Sequence, residues 1–203
     1  MWVILRTSGS RIFLLTGPVG AGKTTVAERV TGLAWRRGIA CRGLLAPAIV
    51  DACGHKTGIW GIDLAGDERR VLARTDCDLG GPRLGRYSFD AAALAWATAV
   101  VLTALTSPLQ AANMGEAHPR LVIVDEIGKL ELWHGMGLAP VLPRLTAGEA
   151  ARALVVVRDT LVEELQRRLG SVEQVIIRVS EQNRETLPTQ ILEALLQPGT
   201  SRR

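Results

Sequence analysis

Aromatic side chains are scarce in this chain: one Tyr, two Phe and five Trp among 203 residues. That shortage weighs against a surface that stacks nucleic-acid bases, since such platforms interleave aromatic rings with cations. The positive balance, 24 Lys and Arg against 20 Asp and Glu, gives a net charge of +4. It is spread over scattered pairs such as Arg36-Arg37, Arg69-Arg70, Arg167-Arg168 and Arg202-Arg203 rather than one stripe. A solvated basic surface that suits an anionic ligand is the simpler reading. Cysteine is equally sparse: Cys41, Cys53 and Cys77 are an odd number with no metal-ligand spacing, and Cys53 with His55 makes only half a site. The start, Met1 to Arg6, has too short an apolar run for a secretory leader. The most apolar stretch, Ala91 to Leu105, is broken by Thr98 and Thr103 and falls short of the roughly 20 residues that span a bilayer. A buried helix capped by Asp90 and stopped by Pro108 is expected there. No repeat, linker or low-complexity tract is visible. The expectation is one globular domain over 1–203, cytoplasmic and acting as a monomer, with 1–10 an extra segment and 197–203 a loose basic tail.

What is present is more specific. Gly17-Pro18-Val19-Gly20-Ala21-Gly22-Lys23-Thr24 spells G-x-x-x-x-G-K-T directly after the apolar run Ile12 to Leu15. A strand, a glycine-rich turn and a helix in that order form a phosphate cradle. Backbone N–H groups and the helix N-terminus meet the phosphates, Lys23 adds a point charge, and the Thr24 hydroxyl is suited to Mg²⁺. A second element, Leu121-Val122-Ile123-Val124-Asp125-Glu126, reads as a buried parallel strand with two acids at its carboxyl end, a Walker B pattern. Asp125 is the candidate for Mg²⁺, and Glu126 for the group that orients or deprotonates an attacking water. The chain holds no N-K-x-D guanine-reading sequence and no L-S-G-G-Q signature, which disfavours GTPase switches and ABC-type ATPases.

Around these motifs, strand and helix patterns alternate. A strand is expected over 11–16, a helix from Gly22 to about Arg37 ended by Gly38, and extended segments near 41–50, 56–64 and 70–75 arranged as hairpins. The Ala-rich helix and a polar stretch, Asn113 to Pro119, come before the acidic strand. A helical region follows over 137–148, interrupted by Pro140 and Pro143. Strands at 153–157 and 174–179 alternate with helices at 160–169 and 184–196. Trp35, Trp60, Trp96 and Trp133 are read as packing residues.

Several segments jointly resemble the THEP-type nucleoside-triphosphatases, the family of the human cancer-related nucleoside-triphosphatase. They are Thr16 to Thr25, Gly43 to Pro47, Gly58 to Leu64, Val71 to Arg74, Gly81 to Tyr87, Val124 to Leu132 and Asn183-Arg184. The likeness covers about 11–196, and the Asp-Glu-Ile-Gly-Lys-x-Glu run is its most specific part. It implies a P-loop NTPase fold, a three-layer α/β/α arrangement with a mainly parallel sheet and an antiparallel hairpin insertion. It also implies slow, Mg²⁺-dependent hydrolysis of ATP, GTP, CTP and UTP to diphosphates. Carried across, Gly17, Pro18, Val19, Gly20, Ala21, Gly22, Lys23, Thr24 and Thr25 bind the phosphates. Thr24 and Asp125 serve Mg²⁺, Glu126 is the base, and Lys23 offsets charge. Arg158 stands where the family carries a basic residue, as a stabiliser of the γ-phosphate or a plain strand-end arginine; Asn183 is a nucleobase contact or a turn former. Arg83 and Arg86 face phosphates or solvent. Two rivals stay open: a nucleotide or small-molecule kinase whose 42–75 segment binds an acceptor, and a nucleotide-gated binding factor.

Overall fold

The computed structural model describes residues 11–66, 68–106, 120–147 and 152–196. Its first strand, β1 (Arg11–Thr16), alternates its side chains between two cores, as a central strand must. Ile12 and Leu14 face one cluster of buried residues, Phe13 and Leu15 the other. The P-loop follows, then α1 (Lys23–Arg36). Gly38 ends that helix at φ 71°, donating to the Trp35 carbonyl at 3.0 Å.

The chain next forms β2 (Ala40–Leu45), β3 (Ala48–Val50), β4 (Lys56–Asp63), β5 (Arg69–Arg74), β6 (Arg83–Leu84) and β7 (Tyr87–Phe89). Helix α2 (Ala91–Thr106) begins where the Asp90 carboxylate accepts the Ala93 N–H at 2.8 Å. Strand β8 (Arg120–Ile127) carries the two acids, followed by α3 (Lys129–Leu132) and α4 (Leu142–Thr146). The order closes with β9 (Arg152–Val157), α5 (Val162–Leu169), β10 (Glu173–Arg178) and α6 (Leu187–Leu196).

The strands make one sheet in the order β10-β1-β9-β8-β2-β4-β5-β7-β6, with β3 beside β4. From β10 to β2 neighbouring strands are parallel; from β2 to β6 they are antiparallel. Helices α2, α4 and α5 cover one face, and α1 and α6 the other. The expected three-layer α/β/α fold with an antiparallel insertion is what the chain adopts.

Differences from the expected elements have local causes. The segment 41–50 splits because the Ala46 N–H leaves the strand for the Asp125 carboxylate at 3.0 Å. Between 137 and 148 a 3₁₀ turn, Ala139–Val141, leads into α4, and both prolines sit in opening turns, where their missing N–H costs nothing. The last helix starts at Leu187 rather than 184, since residues 180–186 form a turn braced by Asn183. Trp35 and Trp133 are 49% and 58% exposed, so neither is the packing residue expected. Arg69 and Arg70 of β5 lie 5.3 and 5.1 Å from the ring centres of Trp60 on β4 and Trp96 on α2, cation–π contacts at the antiparallel meander β4-β5-β7-β6. Among the described residues no helix is long and apolar enough to cross a membrane. Pro108, the 113–119 stretch and both expected terminal segments lie outside the described residues.

Candidate active site at the carboxyl end of the parallel strands

In an open α/β sheet the ligand crevice lies beyond the carboxyl ends of the strands, and both motifs converge there. The P-loop turns tightly: a Cβ on Gly17 (φ 150°) would lie 2.7 Å from the Val179 carbonyl oxygen, a distance no side chain tolerates. Pro18, Val19, Gly20 and Thr25 are exposed, and Ala21 is buried against the core. Lys23 curls back over the loop and donates to the Gly17 and Pro18 carbonyls, both at 2.8 Å. Partial burial holds its ammonium below its ordinary pKa, opposed by the carboxylates of Glu126, Asp159 and Asp125.

Two strands away, β8 delivers both acids. Strict alternation would send consecutive side chains to opposite faces. The pairing of β8 with β9 shifts between Val124 and Ile127, three residues on β8 spanning two on β9. Such a bulge re-aims side chains. Asp125 is 1% exposed, with Oδ2 accepting the Ala46 N–H at 3.0 Å and Oδ1 accepting from the Thr24 hydroxyl at 3.3 Å. Burial pushes its carboxyl up to about 7, helped by the neighbouring Glu126 and Glu28 carboxylates. Glu126 is less buried, and its Oε1 accepts from Arg158 Nε at 3.0 Å.

Placement of the remaining candidates varies. Asn183 spends both ends of its amide on its own turn: Oδ1 accepts the Ser180 N–H at 2.8 Å and Nδ2 donates to the Arg178 carbonyl at 2.9 Å. That turn nonetheless borders the P-loop, and Arg184 Cδ lies 3.8 Å from a Cβ built on Gly22. Arg83, exposed at the start of β6, pairs with Asp78 at 2.7 Å, whereas Arg86 lines the cavity beyond Glu126. Asp51, Cys53 and His55 gather at the exposed β3–β4 turn, but the Asp51 carboxylate accepts the Cys53 and His55 N–H groups, so the cluster is explained by the turn itself.

Glu131 is a functional residue to which the motifs alone give no role. It is 6% exposed, and its carboxylate accepts the Gly128 N–H at 2.8 Å and the Leu138 N–H at 3.2 Å. It thereby clamps the segment after Glu126 to the loop before the 3₁₀ turn. Burial raises its pKa. A lone acid three residues after a glycine was the available signal, the second half of a capping box.

A family model described as NTPase matches residues 12–192. The chain is a member of that NTPase family. Among curated relatives it is 31% identical over 188 residues to the nucleoside-triphosphatase THEP1 of Methanopyrus kandleri, covering 91% of this chain and 94% of the relative. The THEP1 of Thermofilum pendens is 29% identical over 179 residues, covering 88% of this chain and 92% of the relative. The crystal structure of THEP1 from Aquifex aeolicus superposes with a TM-score of 0.69 at 20% identity, across 92% of this chain and 99% of that one. The solution structure of a human cancer-related nucleoside triphosphatase gives 0.66 at 24% identity, across 96% of this chain and all of that one. These two likenesses concern the fold, and they fit the THEP-type resemblance carried by the motifs.

Proposed function

We propose that this NTPase-family member hydrolyses nucleoside 5'-triphosphates to diphosphate and orthophosphate, depends on Mg²⁺ and tolerates several bases. The observation that carries the reading is the convergence of Lys23, Thr24, Asp125, Glu126 and Arg158 at one end of the sheet. Loop residues 17–25 bind the phosphates through backbone N–H groups, with Lys23 exchanging its loop carbonyls for phosphate oxygens. The residues present fit a divalent cation. Thr24 Oγ1 and Asp125 Oδ1 are hard oxygen donors 3.3 Å apart, and Asp125 is a buried carboxylate in no ion pair among the described residues. Bound there, Mg²⁺ neutralises phosphate charge.

Glu126 takes the proton of the attacking water, while Arg158 holds its carboxylate in place and faces the charge that develops on the γ-phosphate. Base tolerance accords with the Asn183 amide being engaged in its own turn. The unpaired thiols accord with a reducing, cytoplasmic setting, and we take the working unit to be a single copy.

Phosphate release from ATP, GTP, CTP and UTP, with Mg²⁺ or with EDTA, tests this. All four should be turned over at rates within about tenfold of each other, the spread expected when no base-reading hydrogen bond contributes, and only with the metal. Turnover of one base alone, or undiminished turnover in EDTA, contradicts the reading.

A further inference from the structure

Beyond Glu126 the site does not end at solvent. A cavity of about 340 Å³ continues from Thr24, Asp125, Glu126 and Arg158 toward the antiparallel meander. That volume suits a small organic molecule and far exceeds the needs of one attacking water. Its walls are apolar, built by Leu44, Ile59, Leu72, Phe89, Leu94 and Leu138 from β2, β4, β5, β7, α2 and the loop before the 3₁₀ turn. Lys129 and Glu131 of α3 line it beside Glu126, and three more polar residues line it from the antiparallel strands: Lys56, Arg86 and Tyr87. Lys56 and Arg86 lie 5.7 and 5.4 Å from the Tyr87 ring centre, and the Arg86 guanidinium reaches the Lys56 carbonyl at 3.4 Å. Neither has a carboxylate in ion-pair range among the described residues, although most other arginines on the meander do.

We propose that this cavity seats a phosphoryl acceptor: a small hydroxylated organic anion with an apolar body. Its charge rests on Lys56 and Arg86 and its hydroxyl lies at Glu126. This rests on the triphosphatase reading and extends it. The acceptor oxygen bonds to the γ-phosphorus as the bond from that phosphorus to the β,γ-bridging oxygen breaks. The nucleoside diphosphate leaves with the electron pair, and the hydroxyl proton passes to the Glu126 carboxylate. Hydrolysis is the same displacement with water in place of the acceptor. The antiparallel insertion thereby gains a purpose, since without it the crevice beyond β2 would open directly to solvent.

Two measurements on the full chain test the site and the step separately. The first titrates anilinonaphthalene sulfonate, an apolar organic anion, into protein saturated with a non-hydrolysable ATP analogue. Saturable one-to-one fluorescence enhancement is expected. Leu84→Trp, which fills the cavity from β6, and Arg86→Ala, which removes a cation, should each weaken it at least tenfold with thermal midpoints near wild type. Dye binding that is absent, or indifferent to both substitutions, overturns the site. The second measurement follows label from γ-³²P-ATP with 4-hydroxyphenylacetate, 3-hydroxybutyrate, AMP and GMP. Label is expected on a hydroxylated apolar acid in preference to either monophosphate, and Leu84→Trp should abolish that transfer while orthophosphate release persists. Label confined to orthophosphate across the panel overturns the transfer step. A wild-type chain that releases no phosphate at all refutes the triphosphatase reading itself.

Discussion

Replacing Asp125 by asparagine should stabilise the metal-free protein while abolishing turnover, and the size of the gain should depend on pH. Asp125 is 1% exposed, and its carboxyl titrates at about 7 in the fold against 3.8 for an unconstrained aspartate. Burial is the main cause, with Glu126 and Glu28 adding repulsion and the Ala46 N–H and Thr24 hydroxyl working against it. Between those two values the native state keeps a proton that the unfolded chain has released. Stability therefore falls as pH rises through that window, by roughly 4 kcal/mol in all, of which about 3 kcal/mol falls between about pH 5 and about pH 8.5. Asparagine carries no charge to desolvate. Its Oδ1 can keep the Ala46 N–H, and its Nδ2 can donate to the Thr24 hydroxyl. Thermal unfolding in EDTA, followed by circular dichroism, should show the variant's advantage widening by roughly 10 °C from the lower to the higher pH, at about 2–4 °C per kcal/mol for a chain of this size. Mg²⁺ should stabilise wild type at the higher pH and leave the variant unchanged. A variant advantage equal at both pH values, or a wild type that gains on the variant as pH rises, would mean that Asp125 is not held protonated by its burial.

Arg158→Ala should lower turnover roughly 10²-fold, with triphosphate affinity changed far less, because it removes both the brace on Glu126 and a cation facing the γ-phosphate. Arg158→Lys should not restore the rate, since a point charge lacks the guanidinium's fixed fork; equal kinetics for all three proteins would remove Arg158 from the site. Lys23→Ala should weaken triphosphate binding by about 10- to 100-fold, measured with a fluorescent ATP analogue, through loss of a charge-assisted contact to the phosphates. Unchanged affinity would show that the loop N–H groups suffice. Glu131→Ala leaves the Gly128 and Leu138 N–H groups without their acceptor and should cost about 3 kcal/mol in urea unfolding. A loss under about 1 kcal/mol would mean that water takes over the clamp.

Local chemistry made the core of this fold legible. The apolar run before Gly17, the helix ended by Gly38 and the continuous run ahead of Asp125 each declare their element without help from distant residues. The antiparallel insertion was readable as well, because the turn-forming stretches 51–54 and 65–68 separate its extended segments. What stayed hidden depends on long-range pairing. That β9 lies between β1 and β8, setting the acids two strands from the P-loop, follows from strand order, which no local pattern encodes. Helix α3, four residues long, falls below the reach of helical periodicity. The break at Ala46 arises from a carboxylate 79 positions later, and the Arg158–Glu126 pair joins residues 32 apart. An acceptor seat on 42–75 was open as a rival reading, but the shape of the cavity was not legible, since its walls come from residue 24, from 44–97, from 125–138 and from residue 158.

The role of Glu126 as base is decided by a single-turnover comparison of wild type with Glu126→Gln, each preloaded with γ-³²P-ATP and started with Mg²⁺. Glutamine can still accept from Arg158 but cannot take a proton from water. Nucleotide affinity should stay within about threefold of wild type while phosphate release slows by roughly 10²- to 10⁴-fold, the usual contribution of a positioned general base. A variant that binds ATP and releases phosphate at the wild-type rate would contradict that role, and the base would have to be sought elsewhere along the crevice.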